Sequence, residues 1–86
     1  MDRPRAIEVT PQNDYCLLVK FSNEEKRIFD VKPYLGFKSY SELKNIALFN
    51  LVKPAGLSIE WSRGQDICPD DLYYNSVPVF HATTNQ

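Results

Sequence analysis

Residues 61–74, WSRGQDICPDDLYY, are the densest concentration of chemically distinctive side chains in this 86-residue chain. The stretch contains a tryptophan, an arginine, a cysteine, three aspartates and two tyrosines, a mixture that also occurs in active sites. Trp61 ends an alternating apolar run, Gly64 is typical of a turn, and Pro69 before two aspartates is typical of a helix start. Asp66 is expected to bond backbone N–H groups of the turn. The stretch therefore predicts a strand end, a turn and a short helix.

Upstream of this stretch, alternating apolar and polar residues predict three antiparallel strands at 5–11, 15–21 and 26–31. In the first strand, Ile7 and Val9 are expected to share one face. The second strand carries apolar residues on both faces, which indicates that its second face is at least partly covered. The first third of the chain therefore predicts a β-meander.

A short helix and a second hairpin are predicted to follow the meander. Residues 39–42, SYSE, fit the capping box that begins many helices. Leu43, Ile46 and Ala47 follow at the spacing of one apolar helix face. Residues 51–61 then alternate around a Pro-Ala-Gly turn, which predicts a β-hairpin.

This order of elements predicts one small α+β domain: an antiparallel βββ meander, a short helix, a β-hairpin and a final short helical turn. We expect the domain to cover residues 1–76, and residues 77–86 to be a C-terminal tail that is either mobile or docked. A chain of this length buries roughly 60–65% of its unfolded surface. That is enough for one core and leaves little room for a deep pocket.

Composition and charge disfavour several classes of protein. The net charge is −1 and the pI is near 5.7, whereas proteins that bind nucleic acids directly usually carry a basic surface. The N-terminal residues lack the apolar run of a secretory signal, and no segment is apolar enough to span a membrane. We therefore expect a cytoplasmic protein whose two cysteines, Cys16 and Cys68, are reduced, buried and structural.

The sequence offers few residues for catalysis or for a cofactor. The single histidine, His81, lies in the expected tail, and neither cysteine has a histidine near it in the sequence. The acidic residues of 66–71 lack the spacing of a calcium loop and the paired cysteines or histidines of a zinc site. We therefore expect no enzymatic activity, no metal site and no cofactor.

Protein binding is the function that the remaining residues favour. Tyr34, Phe37 and Tyr40 give one short connection more aromatic surface than it needs, and Phe80 ends an apolar segment at 77–80. Aromatic side chains in an exposed patch are typical anchors for a partner protein. A purely structural alternative stays open, in which 77–80 folds back as cover for the second strand.

Two other functions remain as alternatives. A small ligand would bind in a shallow groove formed by Trp61, Asp66 and Tyr73, which combine apolar and polar groups. A nucleic-acid-associated regulator would use the lysines and aromatic rings of 32–40 to stack on bases. The acidic pI disfavours direct binding of nucleic acid.

Two motifs carry a resemblance to a known family. Residues 29–35 read FDVKPYL, and residues 61–73 fit W-x-x-G-x-D-[IL]-x-P-[DE]-x-L-Y, the more specific of the two. On these motifs the chain resembles the bacterial domain of unknown function family 2442 over residues 6–74. The resemblance implies a small α+β fold. The connection at 22–25, SNEE, departs from the Asn-Gly turn that the family often has.

The resemblance also implies a kind of function. Members of that family look like non-enzymatic modules, and stand-alone members beside a small partner protein are regarded as antitoxins of toxin–antitoxin pairs. The chain is shorter than members with an added helix-turn-helix domain, so the antitoxin-like role is the one we expect. It would act by occluding a small partner protein, the toxin. A second copy of the chain is the other protein partner that this hypothesis allows.

Overall fold

The structure, a computed structural model that describes residues 3–79, consists of short strands and short helices. The strands are β1 (Ala6–Pro11), β2 (Cys16–Phe21), β3 (Lys26–Asp30), β4 (Lys53–Ala55), β5 (Ser58–Glu60) and β6 (Val77–Pro78). The α-helices are α1 (Ile46–Phe49) and α2 (Pro69–Tyr74), and 3₁₀-helices span Asn13–Tyr15, Lys32–Tyr34 and Lys38–Lys44. The predicted α+β class is confirmed.

Two antiparallel sheets hold the described strands. The larger sheet has the order β1-β2-β3-β6, and the smaller is the β4-β5 hairpin. The predicted meander and the predicted second hairpin are therefore present. In β6, Val77 pairs with Ile28, so the sheet continues beyond the domain limit expected at residue 76. Phe80 and the rest of the expected tail lie outside the described residues.

One core lies between the larger sheet and the segments that follow it. The alternation of β2 directs Leu17, Val19 and Phe21 into this core, with exposed fractions of 0–1%. The helices and the hairpin cover the same face of the sheet. The fully buried side chains of this covering layer, residues 43–72, are Leu43, Phe49, Ile59, Trp61, Ile67 and Leu72.

The prediction that Ile7 and Val9 share a face is wrong, because β1 contains a bulge. Ala6 pairs with Phe21 and Glu8 pairs with Lys20, so the register shifts between these two pairs. One extra residue in a strand reverses the alternation on one side of the bulge. Ala6 is therefore buried in place of Ile7, which is 37% exposed.

The prediction of a single helix that begins at the Ser39 capping box is also wrong, because two separate helices occupy this segment. A 3₁₀-helix occupies Lys38–Lys44, and no side chain caps its N-terminus. The cap that forms is Asn45, whose Oδ1 accepts a hydrogen bond from the amide of Ala47 at 2.9 Å and begins α1. Since Asn45 is extended (φ −74°, ψ 115°), the helical path breaks there. Ile46 is then 52% exposed rather than buried.

The opening stretch forms the elements that its sequence predicts, with one difference in burial. Pro69 begins α2, as expected. Asp66 forms an isolated antiparallel bridge with Glu60, so its backbone takes part in the structure. Cys68, expected to be buried, is exposed because it is the residue that precedes α2. Within residues 3–79, the helices are too short or too polar to cross a membrane.

The turn between β2 and β3 contains a residue in a strained conformation. The amide of Phe21 donates to the carbonyl of Glu25, and the amide of Glu24 donates to the carbonyl of Phe21, each at 2.9 Å. These bonds close a three-residue loop, whose last residue is usually glycine because it is left-handed. Here that residue is Glu24, with φ of 77°.

Replacing Glu24 by glycine is expected to stabilise the fold. The change Glu24→Gly relieves the left-handed strain and is expected to raise the free energy of unfolding by about 0.5–1 kcal/mol. Urea unfolding followed by tryptophan fluorescence measures this difference.

Glu24→Ala is the matched control for that experiment. It removes the same carboxylate, whose ion pair with Lys20 spans 3.9 Å at an exposed position, but it leaves the strained φ in place. We expect it to change the free energy of unfolding by less than about 0.5 kcal/mol. An equal gain from alanine and glycine would show that backbone strain is not the cause.

Candidate functional site

Successive turns hold the aromatic segment that follows β3. The amide of Tyr34 donates to the carbonyl of Val31, that of Phe37 to Tyr34, and that of Tyr40 to Phe37, at 2.9, 3.0 and 3.0 Å. Each bond spans three residues, as in a 3₁₀ turn. The resulting three-residue spacing brings the rings of Tyr34 and Tyr40 together, with centres 5.3 Å apart.

Beside this segment lies an open groove of about 420 Å³. Phe29, which is 1% exposed, is the buried residue of its lining, whereas Phe37 is 62% exposed. The groove therefore combines a core residue with a large aromatic ring that the fold leaves in solvent. Its lining residues are Phe29, Asp30, Pro33, Tyr34, Phe37 and Asn75.

The two tyrosines next to the groove are fixed by packing and by one hydrogen bond. Phe29 packs against Tyr34, with ring centres 5.7 Å apart, and the hydroxyl of Tyr40 donates to the carbonyl of Asp66 at 2.8 Å. Burial, followed by the carboxylate of Asp71, raises the pKa of Tyr34. Burial, followed by Asp66 and then Asp71, raises the pKa of Tyr40. Asp71 is thus a charged neighbour of both tyrosines.

The structure brings together part of the partner-binding set that the sequence suggests. Tyr34 and Phe37 line one groove, and Tyr40 supports it through its contact with Tyr34. Phe80 lies outside the described residues. Sequence reasoning missed Asn75, which is distant in the chain and gives no local signal. It reaches the groove because α2 and β6 return the chain to β3.

Trp61, Asp66 and Tyr73, suggested as an alternative ligand groove, lie in different surroundings. Trp61 is 1% exposed, and its indole N–H donates to the carbonyl of Phe49 at 2.9 Å. Asp66 borders a surface groove that neither Trp61 nor Tyr73 lines. Tyr73 packs edge-on against Phe21, with ring centres 5.1 Å apart. The described structure therefore does not bring these three side chains together around one groove.

Tyr73 instead belongs to a network that joins α2 to the β2–β3 hairpin. Its hydroxyl donates to the Glu25 carboxylate at 2.6 Å, and the Arg27 guanidinium lies 4.5 Å from its ring centre. Arg27 donates from Nε to the hydroxyl of Ser76 at 2.7 Å and from Nη2 to its carbonyl at 2.8 Å. The Ser76 hydroxyl donates in turn to the carbonyl of Tyr73 at 2.7 Å.

The network shifts the ionisation of its two titratable partners in opposite directions. The hydrogen bond from Tyr73, together with a smaller effect of Arg27, lowers the pKa of Glu25 below its ordinary value of 4.5. The same bond raises the pKa of Tyr73 above its ordinary value of 10.0. The hydrogen bond between the neutral phenol of Tyr73 and the carboxylate of Glu25 therefore persists at least from pH 4.5 to pH 10.0.

The described residues contain no further cluster with obvious chemistry. Within residues 3–79, no three acidic, histidine or cysteine side chains lie close enough together to hold a metal ion. Cys16 and Cys68 are both free thiols.

Comparison with protein families matches residues 6–78 to the proteins of unknown function DUF2442. The chain belongs to this family. The resemblance seen at residues 6–74 is thereby confirmed, and the match covers nearly the whole chain. Neither the curated proteins nor the solved structures gave a match.

The match to DUF2442 covers both the groove and the network. The groove residues from Phe29 to Asn75 lie within the matched range 6–78. The motif at 61–73 that carried the resemblance contains Trp61 and Tyr73, both of which make structural contacts here. In this DUF2442 chain, the motif thus supports the fold, and the groove lies beside it.

Removing the Tyr73 hydroxyl is expected to destabilise the protein and to change its pH dependence. Tyr73→Phe keeps the ring and removes the bond to Glu25, whose side chain is 40% exposed. We expect a loss of about 0.5–1 kcal/mol in the free energy of unfolding at neutral pH. Tyr74→Phe is the matched control, since Tyr74 is 62% exposed, and it should leave stability unchanged.

The sign of the pH dependence follows from the lowered pKa of Glu25. A carboxyl group with a lower pKa in the folded state contributes stability above its unfolded pKa and loses it as the pH falls. The difference between Tyr73→Phe and the wild-type chain should therefore shrink below about pH 4.5. Urea unfolding at a series of pH values measures it. A constant difference down to pH values well below 4.5 would contradict the assignment.

Proposed function

We propose that this chain is a non-enzymatic protein-binding module whose partner covers the groove around Phe37. The observation that carries the proposal is the position of Phe37, a large aromatic side chain that is 62% exposed beside an apolar groove. Burying a side chain of this size stabilises a complex by roughly 1.5–3 kcal/mol. Aromatic residues in such positions are frequent anchors of protein interfaces.

The sheet edges are poorer candidates for the binding surface. Each edge strand of the larger sheet contains a proline, Pro11 in β1 and Pro78 in β6. Proline has no backbone N–H and cannot donate to an added strand. The amide of Ala6 is also occupied, because it donates to the carbonyl of Leu57 at 3.4 Å. These features favour binding through side chains at the groove over strand addition.

The antitoxin-like role rests on the family resemblance and extends the binding proposal. In this role the chain acts in the bacterial cytoplasm and occludes a surface that a small toxin needs. An exposed aromatic anchor beside a groove suits occlusion, because it fixes the chain on its partner without any catalytic group. A homodimer that uses the same groove is the second arrangement that the proposal allows.

Small-ligand binding is the second candidate function, and the size of the groove favours it. Its volume of about 420 Å³ falls within the usual range for small-molecule sites. The groove is, however, open to solvent, which disfavours specific recognition of a small molecule, because such sites usually bury most of the ligand surface. Direct binding of nucleic acid is disfavoured by the net charge of −1.

Phe37→Ser is expected to abolish binding of the partner. The variant removes the exposed ring and should leave the fold intact, because surface substitutions usually change stability by less than about 0.5 kcal/mol. The tagged chain would be purified gently from its native cells, and stoichiometric co-eluting protein identified by mass spectrometry. We expect a partner with the wild-type chain and none with Phe37→Ser.

Leu57→Ser is the matched control, because Leu57 is 54% exposed and does not line the groove. It should retain the partner, and circular dichroism checks that both variants are folded. Recovery of the same protein with folded Phe37→Ser, or no stoichiometric protein with the wild-type chain, would contradict the proposal. The antitoxin-like role further requires that co-expression of the wild-type chain, but not of Phe37→Ser, relieves growth inhibition by the recovered protein.

A further inference from the structure

We propose that the groove around Phe37 accepts a basic segment of the partner protein, with an arginine or lysine side chain lying along the aromatic rings. The inference rests on the proposed function and specifies the chemistry of the partner. It follows from the charges that border the groove and from the rings exposed between them.

Unpaired negative charge lies next to the groove. Within residues 3–79, four acidic side chains have no cation within 4.0 Å: Glu8, Glu60, Asp66 and Asp71. Asp66 adjoins the aromatic segment, because its carbonyl accepts the Tyr40 hydroxyl. Asp71 lies one helical turn before Asn75, a residue of the groove. Asp71 therefore flanks the groove, whereas Asp66 borders a separate groove lined by Leu57, Ile59 and Pro69.

The cations nearest in sequence do not balance these carboxylates. Lys32 is engaged by Asp14 at 3.2 Å and by Asp30 at 3.0 Å. Lys38 follows Phe37 directly and is the remaining basic residue of 32–40. It forms no ion pair with any residue in the part of the chain that the structure describes. Asp14, Asp30 and Lys32 together carry a net charge of −1, so this cluster and Asp71 outweigh the single positive charge of Lys38.

An arginine or lysine side chain has an apolar stem and a charged head, which match the aromatic rings and the carboxylates of this surface. Its aliphatic stem packs on apolar surface while its charged head stays near water and carboxylates. A guanidinium over an aromatic face gains further attraction, which is stronger where the site is partly desolvated. Phe37 and Tyr34 supply the rings, and Asp30 and Asp71 supply the charge. An acidic segment would meet repulsion at the same place.

The inference is tested with short synthetic peptides against the full chain labelled with ¹⁵N. The first peptide alternates arginine and leucine, the second replaces arginine by its neutral isostere citrulline, and the third replaces arginine by glutamate. Binding is followed by amide chemical shifts up to millimolar peptide. We expect the arginine peptide alone to saturate and to shift the resonances of Phe37 and Asn75.

Charge-removing variants locate the effect. Asp71→Asn is expected to weaken binding of the arginine peptide by roughly threefold to tenfold, as for a partly screened charge contact. Glu8→Gln is the matched control. It removes the same charge from β1, where Glu8 borders a different groove, and it should change the affinity by less than about twofold.

The outcomes separate this inference from the proposed function. Equal binding of the citrulline peptide at Phe37 would overturn the basic partner and leave the groove as a binding site. Equal weakening by Glu8→Gln and Asp71→Asn, or failure of the arginine peptide to bind, would also overturn it, since the attraction would then not be local. Loss of the proposed function appears separately, as a partner that still co-purifies with folded Phe37→Ser.

Discussion

The indole of Trp61 is the contact on which most of the structure depends. It is among the largest side chains of the core, it is 1% exposed, and its N–H donates to the carbonyl of Phe49. Phe49 ends α1, a helix of four residues that is too short to be stable alone. The ring of Phe49 then packs edge-on against Tyr15, with centres 5.3 Å apart. One buried residue of the hairpin thus fixes a helix and the turn between β1 and β2.

The aromatic side chains divide into those that the core uses and those that it leaves outside. Phe21, Phe29, Phe49 and Trp61 are at most 1% exposed and fill the space between the sheet and its cover. Phe37 contributes little to that core at 62% exposure. An apolar ring in water adds no burial energy to the fold, so Phe37 is free for the partner contact that we propose.

Local patterns in the sequence predicted the central strands. They did not predict features that depend on contacts between distant residues, such as the bulge in β1 and the pairing of β6 with β3. Leu17, Val19 and Phe21 alternate without interruption, and their strand forms as predicted. The bulge that exposes Ile7 leaves the residue types unchanged, so alternation alone cannot reveal it. For the candidate site, the sequence suggested Tyr34 and Phe37 because their short connection holds more aromatic side chains than it needs. Asn75 could not be found in this way, because pairing of β6 with β3 brings it there.

The network of Tyr73, Arg27 and Ser76 adjoins the groove, because Ser76 follows the groove residue Asn75 in the chain. Arg27 in β3 donates to both oxygens of Ser76, and this residue lies between Asn75 of the groove and β6. The two residues are 49 positions apart in the chain, so the contact forms only when the whole domain is folded. Because Tyr73 accepts the Ser76 hydroxyl and packs beneath Arg27, it positions that wall of the groove. Under the binding proposal, a residue of the motif affects partner binding without touching the partner.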